Sequence, residues 1–348
     1  MSQLPTVIDV GRVAGVSRQT VSNVLNSPER VKSETRERVE AAITQLGYRP
    51  HASARRLRTQ KSSTLGIRLD PMQNGISGAI LDRFLHALTE KADERGLRVM
   101  LFTAVDPADE IRQFARLRDG ADVDAFVLTA TFHGDPRTEW LIENGVPFVT
   151  FGRPWGRDDM NDPRHIWVDV DGCSGVREAT RRLLAEGAVH IAYLGWPRPS
   201  GTGDDRRRGW RDAMAEDGRL GDRELDALDL STVDGVAQGR ETLQALIDSG
   251  TRVDAVVCAS DSLALGALLA VRAGVPVIGY DNTPVAEAVG LSSVEQRLDE
   301  VAAGALELLL GPSGDEIVRW TPASTAQRHR LITPHLVMRE PLAIPSIR

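Results

Sequence analysis

From Thr64 onward, short apolar runs alternate with longer amphipathic ones, and that alternation restricts the fold of this 348-residue chain more than any other feature. The apolar runs are LGIRL (65–69), LRVMLF (97–102), AFVLT (125–129), PFVTF (147–151), HIAYLG (190–195), DAVVCA (254–259) and PVIGY (276–280). They have the length and aliphatic content of buried strands. Between them, residues 78–95, 109–118, 173–186, 205–217, 234–248 and 261–272 carry apolar positions at helical spacing. Such alternation builds parallel sheets with helices on both faces. About 280 residues and around a dozen strands exceed one comfortable sheet, so two doubly wound lobes are expected. A ligand of such sheets binds at the strand C-termini, here in the cleft between lobes.

The first sixty-odd residues differ in both pattern and charge. The net charge of −7 divides into +6 over residues 1–61 (eleven basic, five acidic) and −13 over the rest (31 basic, 44 acidic). A small basic head on a large acidic body points to a polyanion as partner of the head. Thr6-Val-Ile-Asp9 fits a capping box opening a helix to about Ala14, which Gly15 breaks. Ser17 is placed to cap a second helix to about Leu25, with Val21, Val24 and Leu25 on its apolar face. Ser33 is expected to cap a third, with Val39, Ala42, Ile43 and Leu46 buried and Gly47 as its stop.

Two short helices around a glycine turn, closed by a third, make an all-α helix-turn-helix head. Its second helix lies in the major groove, where Arg pairs with guanine and Gln or Asn with adenine. Arg18, Gln19 and Asn23 are thus the expected reading face. Ser17, Thr20 and Ser22 serve as caps and phosphate contacts, and Thr6 and Asn26 complete the DNA-facing set. Downstream, HASARRLRTQKSS (51–63) has material for about two helical turns, too little to be stable alone. A basic helix with one exposed leucine suits a minor-groove wedge, with arginines on the phosphates; the alternative is a flexible charged linker.

Residues 5–65 resemble the DNA-binding head and hinge of the LacI/GalR family of bacterial transcription regulators. The matching segments are IDVGRVAGVSRQTVSNVLN, VKSETRERVEAAITQLGYRP and ASARRLR. The resemblance implies hinge helices from two subunits that fold together on an operator and wedge a leucine pair into its central step. That role falls on Leu57, with Ala54 packing beside it and Arg55 and Arg58 at the backbone.

The resemblance continues through residues 168–195, DDRRRGW (204–210), ASDSLALGALLAV (259–271), VIGYDN (277–282) and VEQRLDEVAAGALELLL (294–310). It implies a body like type I periplasmic binding proteins, with Arg206 and Asp281 reaching a small-molecule effector. FGRP (151–154) is similar to a sugar-responsive branch and adds Arg153; Ser77 and Ser260 complete the polar set. The family's aromatic pair after the first strand is replaced by Asn74-Gly-Ile-Ser77-Gly. Stacking therefore falls to Trp155, Trp167 or Trp196, all near strand ends. A carboxylate that accepts from vicinal hydroxyls, beside an arginine fork, suits a mono- or oligosaccharide. A nucleobase or other metabolite is the alternative effector.

Nothing in the chain calls for catalysis. GxSxG, HExxH, GxxxxGK[ST], CxxC and a complete GxGxxG are absent, the seven histidines are scattered, and GTG (201–203) reads as a loop fragment. No cofactor or metal is expected, and Cys173 and Cys258 read as core residues. With no apolar run of membrane length and no signal-like start, the expected compartment is the cytoplasm. The expected division is a head (1–50), a hinge (51–63) and a core (64–348). Lobe one takes about 64–166 and 296–324, lobe two 167–295 and 325–348. The expected partners are operator DNA, the effector and a second copy of the chain. A sugar-binding protein of transport type is the alternative from another class, and the basic head argues against it.

Overall fold

The structure, a computed structural model, describes residues 5–48, 62–69, 78–157, 160–311, 316–318 and 328–340. It divides at Ser62/Ser63 into a small helical unit and a large α/β unit. The hinge residues Ala54, Arg55, Leu57 and Arg58, and Ser77 in the body, lie outside the described residues.

The head holds α1 (Val7–Ala14), α2 (Arg18–Asn26) and α3 (Ser33–Leu46). The Thr6 hydroxyl accepts from the Asp9 N–H while Asp9 accepts from the Thr6 N–H, which is the capping box expected from the sequence. Gly15 and Gly47 end α1 and α3 in the left-handed region (φ 67° and 60°). Tyr48, placed next, donates its N–H back to Ile43 O and buries its ring. Ser33 is the first helical residue rather than the cap: Lys32 holds the cap position, and the Ser33 hydroxyl instead reaches Glu37, 3.1 Å away. Val10, Ala14, Val21, Val24, Val39, Ala42 and Tyr48 form one core among the three helices.

In chain order the body contains β1 (Thr64–Arg68), α4 (Gly78–Asp93), β2 (Arg98–Phe102), α5 (Pro107–Asp119), β3 (Ala125–Leu128), α6 (Pro136–Glu143), β4 (Phe148–Phe151) and β5 (Trp167–Val170). There follow α7 (Gly172–Ala185), β6 (Ile191–Gly195), α8 (Gly201–Asp217), α9 (Asp222–Leu228), β7 (Asp229–Ser231), α10 (Val236–Asp248), β8 (Ala255–Cys258), α11 (Asp261–Ala270) and β9 (Val277–Tyr280). The last are α12 (Pro284–Ala288), β10 (Ser292–Glu295), α13 (Leu298–Leu310), β11 (His329–Ile332) and β12 (His335–Val337).

Lobe one is a parallel sheet in the order β11-β5-β4-β3-β1-β2; lobe two has the order β12-β10-β9-β8-β6-β7, parallel except where β12 runs against β10. Two cores flank the first sheet. Phe84 and Leu88 of α4 meet Val301 and Leu306 of α13 on one face, and Phe114 and Leu141 meet Phe126 on the other. Each fully buried Leu or Phe contributes about 1.5–3 kcal/mol. A single larger core, around Trp210, Tyr193 and Leu243, organises lobe two. Cys173 and Cys258 are buried thiols, as expected.

Lobe membership differs from the sequence reading at two strands. Trp167–Val170 and His329–Ile332 were expected in lobe two, but both pair in the first sheet, through Thr150↔Trp167 and His329↔Trp167. Strand pairing, not chain position, decides membership, so the chain crosses between lobes after Val170, after Glu295 and after Ile332. A third difference is GTG (201–203), which forms the first turn of α8 rather than a loop.

Candidate functional site

In the head, the expected reading face is built as the helical period dictates. Val21 and Val24 are buried, and Arg18, Gln19 and Asn23 stand exposed on the opposite side of α2. The Gln19 amide donates to Asn23 Oδ1 at 3.1 Å, which holds two amides side by side in the open. The Ser17 hydroxyl accepts from the Thr20 N–H at 3.1 Å and lies 2.9 Å from the Thr20 hydroxyl, so Ser17 is the cap and Thr20 the first-turn residue it holds. Ser22 is half-buried, and Asn26 ends α2 with its side chain outside the described residues.

In the body, the strand C-termini of both sheets meet around a group of buried charges. Asp281 follows β9 with a positive φ of 111° and is 4 % exposed. Its Oδ1 accepts from Gln296 Nε2 at 2.6 Å and lies 3.7 Å from Arg206 Nη1. Burial lifts the Asp281 carboxyl to about 7; Arg206 pulls it down, Asp261 pushes it up and Gln296 pulls it down. Arg206 lies with its guanidinium 3.5 Å from the Tyr280 ring centre and 5.3 Å from that of Trp196, and donates to Ala259 O at 2.5 Å. Arg206 Nε and the Tyr280 hydroxyl are buried without a hydrogen-bond partner. Ser260 caps α11 and bonds to Asp234, which also accepts from Trp196 Nε1 at 3.1 Å.

Arg153 comes from lobe one and is fully engaged. It donates to Asp169 at 2.8 Å and, across the cleft, to Asp205 of α8 at 2.5 Å, with its guanidinium 4.4 Å from the Trp155 ring centre. Burial raises the Asp169 carboxyl, and Arg153 pulls it back. The Trp155 ring seats on Gly201, where an added Cβ would come within 2.1 Å of Cγ. Only glycine permits that approach of the lobes. Gly209, three residues after Arg206, does the same for the α7–α8 crossing, where a Cβ would meet Cys173 O at 2.1 Å. A second tie runs from Arg83 of α4 to Glu295 (2.8 Å) and to the carbonyl of Asn282 (3.2 Å).

Of the expected effector residues, Arg206, Asp281, Ser260 and Trp196 come together in lobe two, and Arg153 and Trp155 face them from lobe one. Trp167 does not join them. It starts β5, so it lies at the opposite end from the strand C-termini; its indole donates to Met160 O and stacks on His329. Arg153 also ties the lobes together, through two carboxylates that take its donors. Asp169, Asp205, Gln296, Tyr280 and Arg83 were missed in the sequence. VDVD, DDRRR and VEQR contain three of them, but nothing local marks which acid or amide turns inward. Among the described residues no group of three His, Cys, Asp or Glu side chains is placed to hold a metal, and no helix is long and apolar enough to cross a membrane.

Comparison with known proteins agrees with this architecture. Residues 6–51 match the family model of bacterial regulatory proteins, lacI family, and residues 81–311 that of periplasmic binding proteins and sugar binding domain of LacI family. The HTH-type transcriptional regulator CelR of Thermobifida fusca is 33% identical over 347 residues, covering 97% of this chain and 98% of CelR. A solved CelR–cellobiose complex superposes with a TM-score of 0.65 at 29% identity, over 97% of this chain and 99% of that one. A lac repressor dimer bound to operator and the anti-inducer ONPF shares the fold, with a TM-score of 0.76 at 22% identity over 97% and 98% of the two chains. A capped helix-turn-helix head, followed by two doubly wound lobes closed over paired charges, makes this chain a member of the LacI family of bacterial transcription regulators.

Proposed function

We propose that the protein is a cytoplasmic, homodimeric repressor whose two heads read the half-sites of a pseudo-palindromic operator and whose interlobe cleft binds an uncharged sugar. Two-fold symmetry in the protein calls for two-fold symmetry in the DNA. Arg18, Gln19 and Asn23 read bases, Thr6, Ser17, Thr20, Ser22 and Asn26 contact the backbone, and Leu57 wedges the centre with Ala54, Arg55 and Arg58 around it. Effector binding changes lobe closure and thereby the spacing of the paired hinges, a coupling of about 1–3 kcal/mol. The protein binds its effector without turning it over.

The observation that carries the effector reading is the buried set Arg206–Asp281–Gln296, in which Arg206 Nε and the Tyr280 hydroxyl have no partner within the protein. Buried polar groups are normally satisfied, so these two point to ligand oxygens. A neutral ligand fits the charge balance. Among the described residues, Arg153 is held by two carboxylates and Arg206 lies beside Asp281, so both cleft arginines already have an acid partner. The CelR complex with cellobiose makes a β-linked disaccharide the first ligand to try.

The test is a thermal melt of the full-length protein against neutral sugars, sugar phosphates and nucleobases. A ligand at about 100 times its Kd stabilises by about 2.7 kcal/mol, enough to move the midpoint by a few degrees. A shift with neutral sugars alone supports the reading, whereas a shift with phosphates or nucleobases alone replaces it.

A further inference from the structure

Three residues around one small cavity in lobe one each carry a buried polar atom with no hydrogen-bond partner: the Thr131 hydroxyl, Trp155 Nε1 and His165 Nδ1. Thr131 follows β3 and Trp155 follows β4, while His165 precedes β5 and reaches the cavity from the edge of that strand. Such atoms are rare in folded proteins, and three around one space ask for an occupant. The space is about the size of one water or hydroxyl group.

The donor and acceptor roles can be worked out. Thr150 Oγ1 donates its proton to Gly152 O at 2.6 Å, so it accepts from His165 Nε2–H at 3.1 Å. Burial holds His165 at a pKa of about 3, well below its ordinary value, which keeps the ring neutral. Nδ1 therefore presents a lone pair. The cavity offers one acceptor (His165), one donor (the Trp155 N–H) and one group able to act as either (Thr131). That set complements a hydroxyl. The two charged residues at the rim are occupied elsewhere, Asp135 with Arg137 at 2.6 Å and Arg157 with Glu139 at 3.9 Å. Trp155 also lies under Arg153 and against Gly201, so the same indole borders both this cavity and the interlobe cleft.

We propose that this cavity is a hydroxyl-binding subsite that continues the interlobe site outward, taking one hydroxyl of an uncharged sugar and selecting for it through Thr131, Trp155 and His165. The inference rests on the effector reading above. It is tested by isothermal titration of the full-length protein with cellobiose and its monodeoxy analogues, in wild type, Thr131→Val and Trp155→Phe. In wild type, the analogue lacking the recognised hydroxyl binds about tenfold more weakly than cellobiose. In Thr131→Val, which keeps the side-chain shape, that difference shrinks to about twofold or less, while the penalties at other positions stay at their wild-type values. Trp155→Phe shrinks it likewise. Equal weakening of every analogue in the variants, or no change in any, overturns the subsite and leaves the cavity to a bound water. If wild type binds neither cellobiose nor any sugar of the melting panel, the effector reading itself falls, and the subsite with it.

Discussion

Replacing Asp281 by Asn removes one buried charge and little else. Asparagine tolerates the positive φ of 111° better than alanine would, and its Oδ1 can still accept from Gln296. In the wild type, burial lifts the carboxyl from an ordinary 3.8 to about 7, and Arg206 at 3.7 Å offsets only part of that lift. The difference is worth roughly 4 kcal/mol. Because the folded-state pKa is the higher one, the native protein holds this proton more tightly than the unfolded chain. The stabilisation is complete below pH 4 and is lost as pH rises through about 7. The introduced amide imitates the protonated acid at every pH. The variant is therefore expected to exceed wild type by only about 1 kcal/mol near pH 4.5 and by up to about 4 kcal/mol above pH 7.5. Urea unfolding of both proteins across pH 4.5–8.5 measures this. The raised carboxyl of Asp169 is common to both proteins and cancels in the difference, whereas Asp261, which faces Asp281, ionises more easily once that charge is gone. A pH-independent difference, or a variant less stable than wild type at pH 8, would refute the reasoning and show Asp281 ionised against Arg206 throughout. Sugar affinity should fall in the same variant above pH 7, where the ionised wild-type carboxylate accepts with both oxygens and Asn offers a donor in place of one, and should match wild type below about pH 6.

Two further perturbations examine the other parts of the molecule. Arg153→Met leaves Asp169 buried without its cation and Asp205 with Arg208 alone, and should cost about 3–5 kcal/mol in urea unfolding. Adding Asp205→Asn should recover part of the loss, and a cost below about 1 kcal/mol would mean that the tie contributes little to the closed lobes. Gln19→Ala should weaken operator binding by about 1–3 kcal/mol and relax selection at one base position per half-site. Equal weakening on every DNA sequence would reduce Gln19 to a backbone contact.

Much of the fold was legible because its signals are short-range. Thr6 with Asp9, Ser17 with Thr20, and the two left-handed glycines at 15 and 47 act within a few residues and appear as read. The seven strands longest in apolar residues were equally plain. The strands at the margins were not: Asp229–Ser231 and His335–Val337 are three-residue edge strands whose existence depends on a neighbour already in place. Ser33 misled for a related reason, since a good cap residue one place further on serves as N1 when Lys32 supplies the cap backbone.

The sequence by itself determined the class of molecule: a basic three-helix head with Arg18, Gln19 and Asn23 outward, and an acidic body of two parallel sheets. These follow from period, capping and charge, which a linear string carries directly. Only the tertiary structure decided which charges neutralise one another. Arg153 and Asp205 are 52 residues apart, and Arg83 and Glu295 are 212 apart. Their pairing depends on two sheets that exchange strands at three crossings, and a buried charge acquires its role from whatever the fold brings within about 4 Å of it. The same dependence made Arg153 a tie between lobes, set Trp167 at the far end of its strand, and left Thr131, Trp155 and His165 around a space that no local pattern announces.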